Sequence, residues 1–136
     1  MSVLIDTSIW IDFTRRRTPR TVRSQIRTII SDPHVSLSEP IVFEVLRHAS
    51  EHEAARMRRV FAELPVLSTP LNLWSLAIEL GQRCRRAGIV AGPLDLLIAT
   101  VAIHHEAELV TFDWGFQRIA SVSALRVNVI ERPTAE

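Results

Sequence analysis

Short apolar runs alternate with longer helical patterns along the whole chain. The runs lie at residues 3–5, 35–37, 66–67, 109–112 and 127–130, and each predicts a buried strand. Between them, apolar residues recur at three- and four-residue spacing, as Val22, Ile26 and Ile29 do, and this spacing predicts helices. Strands that alternate with helices predict an α/β fold whose sheet is mainly parallel.

The most apolar of the predicted helices begins at Pro93, and its first turn contains Asp95. A proline suits the first helical position, because the N–H that it lacks would have no partner there. Few polar residues follow, so we expect other elements to cover most of this helix. Asp113 comes directly after the next strand, at the carboxyl end where open α/β sheets bind their ligands. The sequence therefore places two acids at the border of the predicted core.

Two further acids have comparable positions. Asp6 ends the first strand, where it is either a helix-capping residue or a functional acid. Glu44 lies just outside the apolar face of a helix, where it is either exposed to solvent or directed towards the same sheet edge. If the first and fourth strands are neighbours, Asp6 and Asp113 face each other, and Asp95 and Glu44 approach from flanking helices.

The composition narrows the possible chemistry. A chain of 136 residues is expected to form one domain, residues 1–136, and its formal net charge is only +1. All 16 basic residues are arginine, and the absence of lysine excludes P-loop nucleotide binding and Schiff-base catalysis. Cys84 is the only cysteine, which excludes a disulfide within the chain and a cluster of thiolate metal ligands.

Six of the arginines fall within thirteen residues that contain no acid: Arg15, Arg16, Arg17, Arg20, Arg23 and Arg27. Such a stretch is either a solvated helix face or a surface that binds phosphate groups. The beginning of the sequence has no basic segment followed by a long apolar run, and no segment approaches the roughly 20 apolar residues that a membrane span needs. We therefore expect a cytoplasmic protein without a membrane partner.

Four carboxylates at one sheet edge would repel one another, so they would either take up protons or bind a cation. Oxygen ligands without cysteine or histidine select Mg²⁺ or Mn²⁺ rather than zinc. An ion held in this way can activate a water molecule and stabilise the leaving oxygen of a phosphate ester. The predicted chemistry is therefore hydrolysis of a phosphodiester.

Three segments together resemble the PIN-domain nucleases, and the short chain is most similar to the VapC-type toxins of bacterial toxin–antitoxin pairs. The segments are Asp6-Thr7-Ser8, the run that begins at Asp95, and residues 111–116, with Glu44 in the expected order. The resemblance implies a three-layer fold with a five-stranded sheet of order 3-2-1-4-5. It also implies an Mg²⁺- or Mn²⁺-dependent endoribonuclease that forms a homodimer and is neutralised by a VapB-type antitoxin.

Carried over to this sequence, the resemblance makes Asp6, Glu44, Asp95 and Asp113 the metal ligands. Thr7, Ser8 and Thr111 become supporting hydroxyls of the catalytic site. One departure is Glu106, because such sequences often have glycine in the turn before the fourth strand.

Two other functions remain open. A haloacid-dehalogenase-like phosphatase also has an aspartate after its first strand. However, it usually needs a second one where this chain has Ser8, and it needs a lysine that this chain lacks. The second alternative is a PIN-like module that binds RNA or a protein partner without cutting RNA. The presence of all four acids favours the active enzyme.

Overall fold

The structure, a computed structural model, describes residues 1–134, and the last two residues of the predicted domain lie outside this range. Its strands are β1 (Val3–Ile5), β2 (Val35–Ser36), β3 (Glu108–Thr111) and β4 (Arg126–Val129). Its helices are α1 (Thr7–Thr14), α2 (Arg20–Ile30), α3 (Glu39–His48), α4 (Glu51–Phe61), α5 (Leu73–Arg86), α6 (Pro93–His104) and α7 (Gly115–Ala120). None of these helices has the length and apolar character needed to cross a membrane.

The four strands form one parallel sheet in the order β2-β1-β3-β4. Leu4 of β1 pairs with Ser36 of β2 on one side and with Leu109 of β3 on the other. The first and fourth predicted strands are therefore neighbours, as the expected order requires. This arrangement brings the carboxyl ends of β1 and β3 to the same edge of the sheet.

The expected fifth strand, at residues 66–67, is reduced to a single parallel bridge between Leu37 and Val66 beside the end of β2. The Leu67 N–H donates to the Leu37 carbonyl at 2.7 Å, and the Leu37 N–H donates to the Pro65 carbonyl at 2.8 Å. The segment occupies the predicted outer position, but Pro65 has no N–H to extend the ladder, and Val66 is 54% exposed. The sheet thus has four strands rather than five.

Helix α6 is covered by other elements, as its apolar sequence predicts. It packs against α3, α5, α7 and β3. Ile98, Ala99 and Ala102 are fully buried in the same core as Leu4 and Leu109 of the sheet. Its first residue is the predicted proline, and the acid of its first turn is the predicted aspartate. Because α6 is fixed by this packing, the position of that aspartate relative to the sheet is fixed as well.

Two helices end in the same hydrogen-bond pattern with different residues at the critical position. After α5, Gly88 has a φ of 74°, and the Ile89 N–H donates to the Cys84 carbonyl at 2.8 Å. After α6, Glu106 has a φ of 53°, and the N–H of the next residue donates to the Ala102 carbonyl at 2.9 Å. This left-handed conformation suits glycine and costs other residues roughly 1 kcal/mol. Glu106 therefore adopts a turn that glycine would make at lower cost.

Candidate active site

Asp6 lies at the carboxyl end of β1 and is only 3% exposed. Its Oδ2 atom accepts hydrogen bonds from the hydroxyls of Ser8, at 2.9 Å, and Thr111, at 2.8 Å. Although Asp6 is the N-cap residue of α1, its side chain forms no capping hydrogen bond. The contacts therefore favour a role across the sheet edge over the helix-capping role that the sequence left open.

Burial raises the pKa of Asp6 above the value of 3.8 that is normal for aspartate. The hydroxyls of Thr111 and Ser8 oppose this effect, because each stabilises the charged carboxylate by donating a hydrogen bond to it. The two hydroxyls thus hold the carboxylate in place and reduce the cost of its charge.

Thr111, at the end of β3, connects two of the acids. Its fully buried hydroxyl donates to Asp6 and accepts a hydrogen bond from the Asp113 N–H at 2.9 Å. The Oδ1 atom of Asp113 accepts from the Gly115 N–H at 2.8 Å, and Asp113 itself is exposed. The orientation of the Asp113 carboxylate is therefore set by the first turn of the following helix.

Gly115 is a positioning residue that sequence reasoning missed. A Cβ atom at this position would lie 3.1 Å from Oδ1 of Asp113, which is a tight approach for a carbon atom. Its signal in the sequence was its position two residues after an acid, where a backbone N–H can bond the side chain of that acid.

The charges of the other three predicted acids act on Asp95. Its side chain is half-buried, and its pKa is raised to about 6, first by burial and then by the negative charges of Asp6, Asp113 and Glu44. Glu44 is on α3, which packs against both α1 and α6. The other three predicted acids therefore influence the ionisation of Asp95.

The charges of these acids are not balanced by basic side chains. The ion pairs in residues 1–134 join Asp32 to His34 and Asp12 to Arg132, so neither involves an acid of this group. Uncompensated carboxylates in a partly buried site favour a cation. The oxygen-only donor set fits a hard divalent ion.

The positions of the acids bear on how a metal ion could be bound. Among the described residues, no three histidine, cysteine or acidic side chains are placed to hold a metal ion together. Mg²⁺ keeps several of its water ligands in proteins and uses only one or two carboxylates directly. The described residues therefore show no preformed set of three ligands for a metal ion.

The remaining predicted hydroxyl, that of Thr7, is placed differently. Thr7 is 5% exposed, and its Oγ1 atom has no hydrogen-bond partner in the part of the chain that the structure describes. The structure thus joins Ser8 and Thr111 to the acids through Asp6, but it does not join Thr7 to them by a hydrogen bond. Ser38, at the N-cap of α3, also has a buried hydroxyl without a partner there.

Known proteins resemble this chain in sequence over most of its length. A family model described as the PIN domain matches residues 3–122. Ribonuclease VapC11 of Mycobacterium tuberculosis is 30% identical to this chain over 129 residues, which are 91% of this chain and 96% of that protein.

Several solved structures have the same fold as this chain. A chain of VapBC2 from Rickettsia felis, in a crystal structure with a promoter DNA fragment, has a TM-score of 0.75 at 17% identity, with 96% of this chain and 100% of that chain covered. A chain of VapBC-1 from nontypeable Haemophilus influenzae has a TM-score of 0.69 at 22% identity, with 95% and 98% covered. Because the family model matches most of the chain, residues 3–122, we conclude that the chain belongs to the PIN-domain family.

Proposed function

We propose that this protein is a metal-dependent endoribonuclease of the VapC type, which acts in the cytoplasm and is neutralised by a VapB-type antitoxin. The observation that carries the proposal is the pair of hydrogen bonds by which the Thr111 hydroxyl joins the buried carboxylate of Asp6 to the backbone of Asp113, without a basic partner for either acid among the described residues. The 30% identity to a VapC ribonuclease over nearly the whole chain supports the choice of RNA as substrate.

In this proposal Asp6, Glu44, Asp95 and Asp113 hold Mg²⁺ or Mn²⁺, partly through water. The bound ion would supply an activated water molecule and would stabilise the charge that develops on the phosphate oxygens. The hydroxyls of β3 and α1 orient the Asp6 carboxylate, and the Gly115 N–H orients that of Asp113. The protein's own contribution is thus to hold these carboxylates in fixed orientations at one edge of the sheet.

The alternatives are less well supported. A haloacid-dehalogenase-like phosphatase would need a lysine near the acids, and the chain has none. A PIN-like module that only binds RNA has no need for carboxylates whose repulsion destabilises the fold. The retained group of acids therefore favours the enzyme over the binding module.

Exposed apolar side chains support the proposed protein partners. Leu71, Trp74 and Ile78, which are 105%, 68% and 61% exposed, lie at three- and four-residue spacing along and just before α5. Phe43, on α3 beside Glu44, is 58% exposed. Apolar groups of this size at regular spacing are typical of surfaces that a second protein covers. We propose that these exposed side chains form the contacts with the second subunit of the homodimer and with the antitoxin.

The arginine stretch divides into two groups with different roles. The Arg23 guanidinium donates to the carbonyls of Arg15 and Arg16, so Arg23 stabilises the segment that follows α1. Arg20 and Arg27 line a groove of about 690 Å³ on α2, which Arg23 also borders, and neither Arg20 nor Arg27 forms an ion pair within residues 1–134. We propose that this groove contacts phosphates of the RNA away from the cleaved bond.

Asp95→Asn should abolish cleavage while stabilising the metal-free protein. The rise in pKa from 3.8 to about 6 means that ionising Asp95 costs the folded state up to roughly 3 kcal/mol. Solvent screening reduces this to roughly 1 kcal/mol, because the group is only half-buried. The cost is absent below pH ~4, grows as the pH rises to about 6 and is complete above it. Thermal unfolding in EDTA should therefore show the stabilisation at pH 7 and not at pH 4. Parental cleavage by a folded mutant would remove Asp95 from the site.

The cut should leave a 5′-phosphate and a 3′-hydroxyl. In the proposed mechanism the metal ion activates water, so the nucleophile is water rather than the RNA 2′-hydroxyl. EDTA should stop the reaction, and Mg²⁺ or Mn²⁺ should restore it. The ends are identified by ligation and by kinase labelling of the products, with Asp95→Asn as the control for contaminating nucleases. Cyclic-phosphate ends, or activity in EDTA, would contradict the mechanism.

Expression without its antitoxin should arrest growth, whereas expression of Asp95→Asn should not. Both proteins retain the same surfaces, so a difference between them reports the nuclease activity. The parental protein expressed with its neighbouring genes should be purified together with a small partner. Normal growth in the presence of soluble, folded parental protein would count against a toxin.

Replacing Arg20 and Arg27 by glutamine should weaken RNA binding and flatten its salt dependence. Each phosphate of single-stranded RNA that the variant no longer neutralises should lower the slope of log K against log salt by about 0.7. Arg85→Gln with Arg86→Gln on α5 makes the same change in net charge outside the groove and is the matched control. Binding is measured in EDTA so that no RNA is cut. Equal slopes for the two double mutants would show that the stretch is only a solvated face.

A further inference from the structure

An exposed tryptophan lies directly beside the acidic site. Trp114 follows Asp113 in the chain, and 65% of its surface is exposed. The other two tryptophans are placed elsewhere: Trp10 is fully buried in the core, and Trp74 is exposed on α5. The exposed part of this large aromatic ring is available to a ligand that binds at the acids.

The backbone under this ring is held firmly. The Gln117 N–H donates to the Trp114 carbonyl at 3.0 Å, and the Gly115 N–H donates to Oδ1 of the preceding aspartate at 2.8 Å. Phe116 and Ile119, which are 1% and 2% exposed, anchor α7 in the core. The ring therefore projects from a rigid support whose position is tied by a hydrogen bond to a carboxylate of the site.

A basic side chain accompanies the ring. Arg118 is four residues after Trp114, so both lie on the same side of α7, and Arg118 is exposed. It forms no ion pair within residues 1–134. An aromatic face with a guanidinium one turn away is the combination that single-stranded nucleic acids bind, because the ring stacks on a base and the cation contacts the backbone.

We propose that Trp114 stacks on the base of a nucleotide next to the cleaved phosphodiester, with Arg118 contacting the adjoining backbone. The inference rests on the proposed ribonuclease function and names how that site holds its substrate. Stacking accepts any base, since every base has an aromatic face. Trp114 therefore acts as a positioning residue: it fixes the strand in the site, and the acids act on the phosphate.

Tryptophan fluorescence tests the contact without any cleavage. Poly(U) and poly(A) are titrated in EDTA into the parental protein, into Trp114→Phe and into Trp74→Phe. Trp74→Phe is the control, because Trp74 lies on α5 in the surface assigned above to protein partners, and phenylalanine keeps that surface aromatic. Both polymers should quench the parental protein and Trp74→Phe, whereas Trp114→Phe should lose most of the quenching. Absence of quenching in the parental protein, or equal quenching in the two variants, overturns the proposal.

Cleavage kinetics supply the functional test. Trp114→Ala should raise KM about 5- to 100-fold and leave kcat at saturating RNA nearly unchanged, and Trp114→Phe should restore most of the affinity. Since the ring is exposed, thermal unfolding of the alanine variant should match that of the parental protein. An unchanged KM overturns the proposal. If the alanine variant keeps its KM but no longer retains the antitoxin, the ring belongs to the protein partner instead.

The stacking contact and the nuclease function fail in different ways. If RNA quenches Trp114 but no metal supports cleavage, the stacking contact stands and the nuclease function is wrong. If RNA is cleaved and the variant at position 114 behaves like the control at position 74, the nuclease function stands and the stacking contact is wrong.

Discussion

The hydrogen bond between the Thr111 hydroxyl and the buried carboxylate of Asp6 is the contact on which the site depends. It joins the ends of β1 and β3, which are neighbours only because the chain crosses over between them. The same hydroxyl accepts from the Asp113 N–H, so one buried oxygen fixes two acids. A strand order in which β1 and β3 were not neighbours would separate Asp6 from Asp113 and remove the Thr111 donor from a buried carboxylate, which would be costly.

The site is held together against its own electrostatics. The charges of Asp6, Asp113 and Glu44 all oppose the ionisation of Asp95, and burial opposes it further. This cost is tolerated because the elements carrying the acids are anchored elsewhere: α6 by its fully buried side chains, and β1 by its pairing with two strands. The apolar core therefore makes the fold stable enough to tolerate carboxylates that repel one another at the edge of the sheet.

The elements around the site could be predicted from the sequence because their signals are local: Pro93 marks the start of α6, and apolar runs mark β1 and β3. The number of strands was predicted less well, because two apolar residues after Pro65 look like a strand whether or not a ladder can extend beyond them.

The roles of the individual arginines could not be predicted from the sequence either. Both Arg20 and Arg23 border the open groove, but the Arg23 guanidinium also donates to three backbone carbonyls. Only the packing of α1 and α2 shows which of these charges are free to bind.

The proposed metal and the proposed antitoxin are linked through the same four carboxylates. A cation relieves the repulsion that raises the pKa of Asp95, and a basic side chain from a partner would relieve it equally well. The cation and the partner's basic side chain would bind to the same carboxylates and would therefore compete. Each would lower the apparent affinity of the other. Inhibition then needs no change of fold. In this proposal, the repulsion that prepares the site for a metal would also allow a partner to inhibit it.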